Sequence, residues 1–432
     1  MGYLFLMVDK VFNFPVSSLM SLDKKTVLLV AYGGGHVAML APVARELLTR
    51  NYNVLFLALT TAGAYLDRLG IPYIGYRHLP EADSEEVLAI GRMLTRNLPK
   101  SSLVPEAESL AYMGLNYREL VRAHGVDAAA DLYAKEGRQA FLPVDLFCCW
   151  FEILSPLVVL ATNSPRSERA ALEAARKLGI PSVCAVDLFG MQEIEWIKSP
   201  HYASRICVLN EHVKNMFVDK GCQAEKIVVT GNPAFERLQL DDVRASGQEM
   251  RASKGWSKDD IVVLWASQVE PGEHPFVSGK RGDSTMPRRI ESSLRHLVAK
   301  DKRFRLVVRY HPSECVEFSA GQERVGLSSS GEDLAVLLHA VDVVVVMTST
   351  VGLEAYLAGC HVVSVAGSIF SEDAPYGQMG IAAEVCSPCA LVGQISELSS
   401  SDLRHSRLQR EVDYMKSPTG NIVGVVETLI VS

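Results

Sequence analysis

No run in this chain reaches the ~18 consecutive apolar residues that a membrane-crossing helix needs. The chain also lacks any block of Lys and Arg, and its formal net charge of −7 argues against broad nucleic-acid binding. Its nine cysteines are odd in number and without framework spacing, which suits a reducing compartment better than a disulfide-stapled secreted protein. Cys386-Ser-Pro-Cys389 is a lone CxxC with no second pair or nearby His, so ordinary thiols are the better reading than a metal or redox centre. The GxGxxG dinucleotide pattern is missing and no acidic residue ends the second expected strand, which leaves NAD binding without support. There is no DxD motif to hold a metal. Residues 1–20 are apolar but carry Asp9, contain Pro15 and lack a basic n-region, so they match a signal peptide poorly. A docked or membrane-touching extension and a mis-set start codon both fit them. The expected location is cytoplasmic, with the inner face of the membrane if residues 1–23 make peripheral contact there.

What remains is a chain of 432 residues, 48% hydrophobic and 22% charged, the profile of an ordinary globular protein large enough for two domains. Its most informative stretch is Val341 to Gly367. Val343 to Met347 is a β-branched run without alternation, suited to a strand buried on both faces. Thr348, Ser349 and Thr350 put hydroxyls at the strand end, Gly352 admits close approach, and a helix follows from Val351 to Ala358. Hydroxyls at a helix N-terminus suit an anion, although one dipole is worth only ~0.3–1 kcal/mol at a surface. Glu354, one turn into that helix, would repel phosphate unless it faced something else, and a ribose diol is the natural partner for a carboxylate. The plain alternative is one more βαβ unit with an N-cap hydroxyl.

Along the chain, Thr26 to Ala31 reads as a buried strand leading into Tyr32-Gly33-Gly34-Gly35-His36, with a helix from about Met39 to Arg50 and a strand from Val54 to Leu59. A helix over Thr60–Arg68 and a short strand at Ile71–Ile74 follow, and then a polar helical insertion over about 77–150, with helices at Ala107–Ala123 and Ala128–Gly137. An insertion of this size most often shapes a binding cleft. The strand Leu157–Ala161 ends in Thr162-Asn163-Ser164-Pro165-Arg166, and after a helix over Ser167–Leu178 the strand Ser182–Val186 ends in Asp187. In the second half, Ile261–Ala266 ends in Ser267-Gln268, and residues 270–287 form a charged Pro/Gly-rich loop offering His274 and Arg281 to anions. A helix over Ile290–Lys300, a strand over Phe304–Arg309 and the turn Tyr310-His311-Pro312 come next.

These patterns resemble one superfamily. Strand, hydroxyls, Gly, Glu-Ala, helix and strand resembles the nucleotide-binding unit of GT-B glycosyltransferases and of UDP-N-acetylglucosamine 2-epimerase, and STVGLEA is similar to bacterial capsule and surface-polysaccharide transferases. GGGHVAMLAPVAREL resembles the first loop of GT-B transferases such as the lipid II-forming N-acetylglucosaminyltransferase, where glycines and a His line the acceptor cleft. TNSPRSERAALEAARKLGIPSVCAVD resembles the 2-epimerase segment with a catalytic strand-end carboxylate, although here it is Asp and the adjacent Gly-Leu-Arg is absent. RICVLNEHVKNMFVDKGCQAEKIVVTGNP resembles the end of the N-terminal domain in both families, and His311-Pro312 the HP motif of sialyl- and Kdo-type transferases. The His-Arg pair an epimerase would need after Ala266 is missing.

The resemblance implies an α/β protein of GT-B type, with two Rossmann-like domains of parallel strands facing across a cleft and a helical insertion in the first. The expected division is an extension at 1–23, an acceptor domain at 24–235, a nucleotide-sugar domain at 236–415 and a helix at 416–432 returning to the first domain. It implies a glycosyltransferase that is metal-independent and uses no cofactor beyond a UDP- or CMP-type nucleotide sugar, with a surface-glycan or related acceptor. Catalysis falls to His36 or Asp187 as base. Donor binding falls to Ser267, Gln268, His311, Ser349, Thr350 and Gly352 around the phosphates and to Glu354 at the ribose. Acceptor or sugar contacts fall to Gly34, Gly35, Asn163, Arg166, Glu372 and Asp373. An epimerase or hydrolase on UDP-N-acetyl sugars and a non-catalytic nucleotide-sugar binding protein are the alternatives.

Overall fold

The computed structural model describes residues 24–98, 101–274, 279–398, 403 and 417–431; the extension expected at 1–23 lies outside them, as do positions 416 and 432 of the expected tail. The chain forms two compact units that meet in sequence between Ala234 and Phe235, and the C-terminal helix belongs to the first. Each unit is built on one six-stranded sheet in which every paired strand is parallel.

The first unit runs β1 (Thr26–Ala31), α1 (Gly35–Thr49), β2 (Asn53–Ala58), α2 (Ala62–Leu69), α3 (Glu85–Thr95), α4 (Glu106–His124), α5 (Val126–Glu136), α6 (Val144–Leu154), β3 (Val158–Thr162), α7 (Ser167–Lys177), β4 (Ser182–Ala185), α8 (Ile194–Ile197), β5 (Arg205–Val208), α9 (Glu211–Asp219) and β6 (Ile227–Val229). The order across the sheet is β2-β1-β3-β4-β5-β6. TVLLVA in β1 and NVLFLA in β2 are buried at every position, as a sheet covered on both faces requires. The strand expected at Ile71–Ile74 shrinks to a single bridge: Ile74 exchanges main-chain hydrogen bonds with Phe56 and Ala58, both 2.8 Å, before the chain turns at Tyr76 into the insertion.

Helix α1 begins at Gly35, four residues before the expected Met39. Gly34 takes a left-handed φ of 71°, which turns the chain at once from strand end into helix. His36 therefore stands in the first turn of α1 and not in a loop. The insertion comprises α3 to α6. Its anchor is buried Tyr76, edge-on to Tyr112 at 5.1 Å and Trp150 at 5.8 Å, and buried Glu108 accepts from the backbone N–H of Tyr76 (2.9 Å) and Arg77 (3.1 Å).

The second unit contains α10 (Asp241–Ser253), β7 (Ile261–Ala266), α11 (Met286–Lys300), β8 (Phe304–Arg309), β9 (Val325–Leu327), α12 (Leu334–Ala340), β10 (Val343–Val346), α13 (Val351–Leu357), β11 (His361–Val365), β12 (Ala383–Val385) and α14 (Pro388–Ser396), in sheet order β12-β11-β10-β7-β8-β9. The last helix, α15 (Pro418–Val431), buries Ile422, Val423 and Val426 in the same core as Val27, Leu29 and Val43 of the first unit. Among the described residues no helix is long and apolar enough to cross a membrane.

Both sheets reverse their strand order once, between β1 and β3 in the first and between β7 and β10 in the second. In parallel α/β sheets the crevice at the carboxyl ends of the strands on either side of such a reversal is where ligands bind. Many of the residues singled out by sequence lie at these two points.

Candidate active site

In the first unit the reversal brings the start of α1 against the end of β3. His36 Nδ1 lies 2.7 Å from Thr162 Oγ1, and Thr162 Oγ1 donates to Glu168 Oε2. Glu168 is fully buried and also accepts from the backbone N–H of Tyr32 (2.6 Å) and Ser164 (2.8 Å), with its Oε2 3.8 Å from His36 Nδ1. Asp187, just past β4, completes the group. Its backbone N–H donates to Asn163 Oδ1 at 2.8 Å and its Oδ1 accepts from Asn232 Nδ2 at 3.2 Å. Burial pushes the Asp187 carboxyl above the usual carboxylate range, while nearby His36 and the Asn232 hydrogen bond pull it down. Gly35 makes this approach possible, because a Cβ there would lie 2.6 Å from Asp187 Oδ2. The structure thus brings together His36, Asp187, Gly35 and Asn163, while exposed Gly34 serves as the turn into α1. Arg166 stacks its guanidinium over the Tyr32 ring at 4.9 Å, and its buried Nε has no hydrogen-bond partner among the described residues.

In the second unit, Gln268 bridges the reversal. Its Nε2 donates to Thr348 Oγ1 (3.0 Å) and its Oε1 accepts from the Thr348 N–H (2.9 Å), so the ends of β7 and β10 are laced together. Ser267 is also committed: its Oγ accepts from Arg288 Nη2 (2.6 Å) and donates to Glu314 Oε1 (2.9 Å). The side chains of these two donor-site candidates therefore brace the strand ends. Glu314 reaches on to the His311 backbone N–H (2.8 Å), and His311 Nδ1 accepts from the Ser313 N–H (3.1 Å). That leaves the exposed His311 ring with its proton on Nε2, free to donate.

Helix α13 follows β10 with seven residues, and Thr350 at its N-cap is exposed and makes no side-chain cap bond. The Ser349 carbonyl accepts from Tyr376 Oη at 2.8 Å. Gly352 is packed so closely that a Cβ would lie 2.9 Å from Val346 Cγ2 and 3.0 Å from Tyr376 Cε2. Beside it, burial pushes the Glu354 carboxyl up to about 7, with Arg309 pulling it back. Among the described residues no donor hydrogen-bonds that carboxylate. Arg309 spends its own donors on Ser328 Oγ (2.8 Å) and the carbonyls of Ser329 (2.9 Å) and Glu332 (3.1 Å), so it reaches Glu354 through its field alone.

No protein-family model matches the chain, and no curated protein sequence does. Solved structures match along nearly its whole length. UDP-GlcNAc 2-epimerase from Neisseria meningitidis, solved bound to UDP-GlcNAc, is similar with TM-score 0.54 at 15% identity, over 94% of this chain and 100% of that one. MurG of Acinetobacter baumannii is similar with TM-score 0.54 at 14% identity, over 94% and 99%. An S. aureus MnaA–UDP structure gives 0.55 at 13%, over 94% and 98%. The chain has the GT-B fold.

Within this GT-B chain three expected contacts stand apart from the two clusters. Exposed Glu372 is paired with Lys280 Nζ at 3.0 Å, and Asp373 is held by its own turn, its N–H donating to the Phe370 carbonyl at 3.0 Å. His274, expected to be open to anions, is buried with its ring 5.3 Å from that of Phe370. Sequence reasoning missed Glu168, Glu270 and Glu314. Buried Glu270 accepts from Ser368 Oγ and the Ile369 N–H, both 2.8 Å, and so ties the loop after β11 to the end of β7. Each of the three reads in sequence as an ordinary surface carboxylate. The one available hint was an acidic residue within a few positions of a strand end rich in hydroxyls. Among the described residues no group of three or more His, Cys, Asp and Glu could hold a metal ion.

Proposed function

We propose that this GT-B protein is a glycosyltransferase that moves a sugar from a UDP- or CMP-type nucleotide donor to a surface-glycan or related acceptor, without a resident metal. The carrying observation is Glu354: a partly buried carboxylate next to the β7–β10 crevice, raised to about 7 and without a hydrogen-bond donor among the described residues. A ribose diol supplies the two O–H donors it lacks. Ser349, Thr350 and Gly352 at the start of α13 and the Nε2–H of His311 would then meet the donor phosphate, stabilising charge on the leaving group by fixed dipoles and hydrogen bonds. In the first unit, His36 or Asp187 would take the acceptor proton, within the roughly 10²–10⁴-fold that a placed base contributes.

Calorimetric titration of UDP, CMP and GDP into the protein and into Glu354→Ala tests the donor site. Hydrogen bonds to a charged group contribute about 1.5–3 kcal/mol, so the variant should bind its preferred nucleotide roughly 10- to 100-fold more weakly. Unchanged affinity would remove the ribose assignment. Epimerisation or hydrolysis is the second reading, favoured by the epimerases among the fold relatives and by an acid at the end of β4. Incubation with UDP-GlcNAc alone separates them, because acceptor-free release of UDP with an altered sugar belongs to that reading. Nucleotide-sugar binding without turnover on a broad acceptor panel would support a binding protein instead.

A further inference from the structure

We infer that Glu168 is a positioning residue that sets the protonation tautomer of His36 through the hydroxyl of Thr162. The inference rests on the reading of His36 as the base, but its geometry stands on its own. A hydroxyl has one hydrogen, and Thr162 gives it to Glu168 Oε2. An ionised carboxylate only accepts, and the other hydrogen bonds into Glu168 come from the backbone N–H groups of Tyr32 and Ser164. Thr162 Oγ1 can therefore only accept from His36 Nδ1, 2.7 Å away. The neutral ring carries its proton on Nδ1 and keeps its lone pair on Nε2.

The arrangement resists being reversed. Glu168 is fully buried, on the first turn of α7, and Thr162 is the last residue of β3, so these two members of the relay are fixed by the sheet and by a helix packed against it. His36 is the exposed end, about a quarter of its side chain reaching solvent, on the side of the crevice where Asp187 lies. A base in this position must present an unprotonated nitrogen outward. A ring free to swap tautomers would present N–H part of the time, and the relay removes that population.

The test is ¹⁵N NMR of protein labelled at histidine, with His36 assigned by comparison with His36→Gln, under conditions where the ring is neutral. The wild-type ring should show Nδ1–H and bare Nε2. Thr162→Val keeps the shape and removes the hydroxyl, and should lose that preference. Thr162→Ser should keep it. In Glu168→Gln a single amide oxygen replaces the two carboxylate oxygens that serve the Thr162 hydroxyl and the Tyr32 and Ser164 N–H groups, so the fixed direction of the relay should be lost and both ring tautomers should be populated. Should Thr162→Val fold poorly, the Glu168→Gln and Thr162→Ser pair carries the same comparison. A wild-type ring protonated at Nε2, or one tautomer common to wild type, Thr162→Val and Glu168→Gln, overturns the inference. The readout needs no substrate, so it can fail or succeed independently of glycosyl transfer. With a working donor and acceptor, Thr162→Val should lower kcat about 10- to 100-fold at unchanged KM, and Thr162→Ser should restore it.

Discussion

Replacing Glu354 by Gln should change how stability depends on pH, and the structure fixes the sign. Burial raises this carboxyl from the ordinary 4.5 to about 7, Arg309 only partly offsetting it. Between those two values the folded protein holds a proton that the unfolded chain has released, so stability falls as pH rises through the window. Below pH 4.5 both states are protonated and the site costs nothing. Above pH 7 the full cost is present, about 3 kcal/mol from the displacement. Gln is neutral throughout and of the same shape, so Glu354→Gln should match wild type near pH 4 and exceed it by about 2–3 kcal/mol near pH 8. The assay is urea unfolding of both proteins at half-unit pH steps from 4 to 8.5, read as the midpoint at constant slope. Nucleotide should partly cancel the difference by giving the ionised carboxylate its missing donors, and binding should therefore release a proton between pH 5 and 7. Parallel stability curves for the two proteins would refute the desolvated carboxylate and with it the main support for the donor site.

Other outcomes follow from close approaches and from the base. Gly35→Ala should drive Asp187 out of place and cost about 1–3 kcal/mol, measured by thermal unfolding, because the new Cβ would lie 2.6 Å from Asp187 Oδ2. Gly352→Ala should cost a similar ~1–3 kcal/mol against Val346 and Tyr376, and weaken nucleotide binding as α13 shifts; intact affinity in calorimetry would separate packing from binding. Asp187→Asn should leave circular dichroism unchanged and reduce turnover by roughly 10²–10⁴-fold if this carboxylate, and not His36, is the base.

Much of the sheet architecture was legible because parallel strands covered on both faces must be continuous apolar runs: the ranges read from sequence for Thr26–Ala31, Ile261–Ala266 and Phe304–Arg309 are those the structure contains. The edges were not. Strands β9 (VGL) and β12 (AEV) are three residues long and partly exposed, so they carry no such signature, and α10 is a polar surface helix. Ile74 lies where a strand was expected but pairs at one position only. At the sites, motif reading reached residues at strand ends but not their partners. Ser267 and Gln268 look available in sequence because nothing local occupies them, while Arg288, Glu314 and Thr348, which do occupy them, arrive from 21 to 80 positions away. Glu168 was hidden for the same reason: in SERAALEAARK it sits in a helix that reads as amphipathic and solvated, and only the fold turns it onto Thr162.

Helix α15 has a consequence for synthesis of the chain. Its Ile422, Val423 and Val426 complete a core whose other buried members were translated more than two hundred residues earlier. While the ribosome is still making the second sheet, the core of the first lacks these three side chains. Final closure of this core thus waits until residues 418–431 have been made, after the whole of the second sheet.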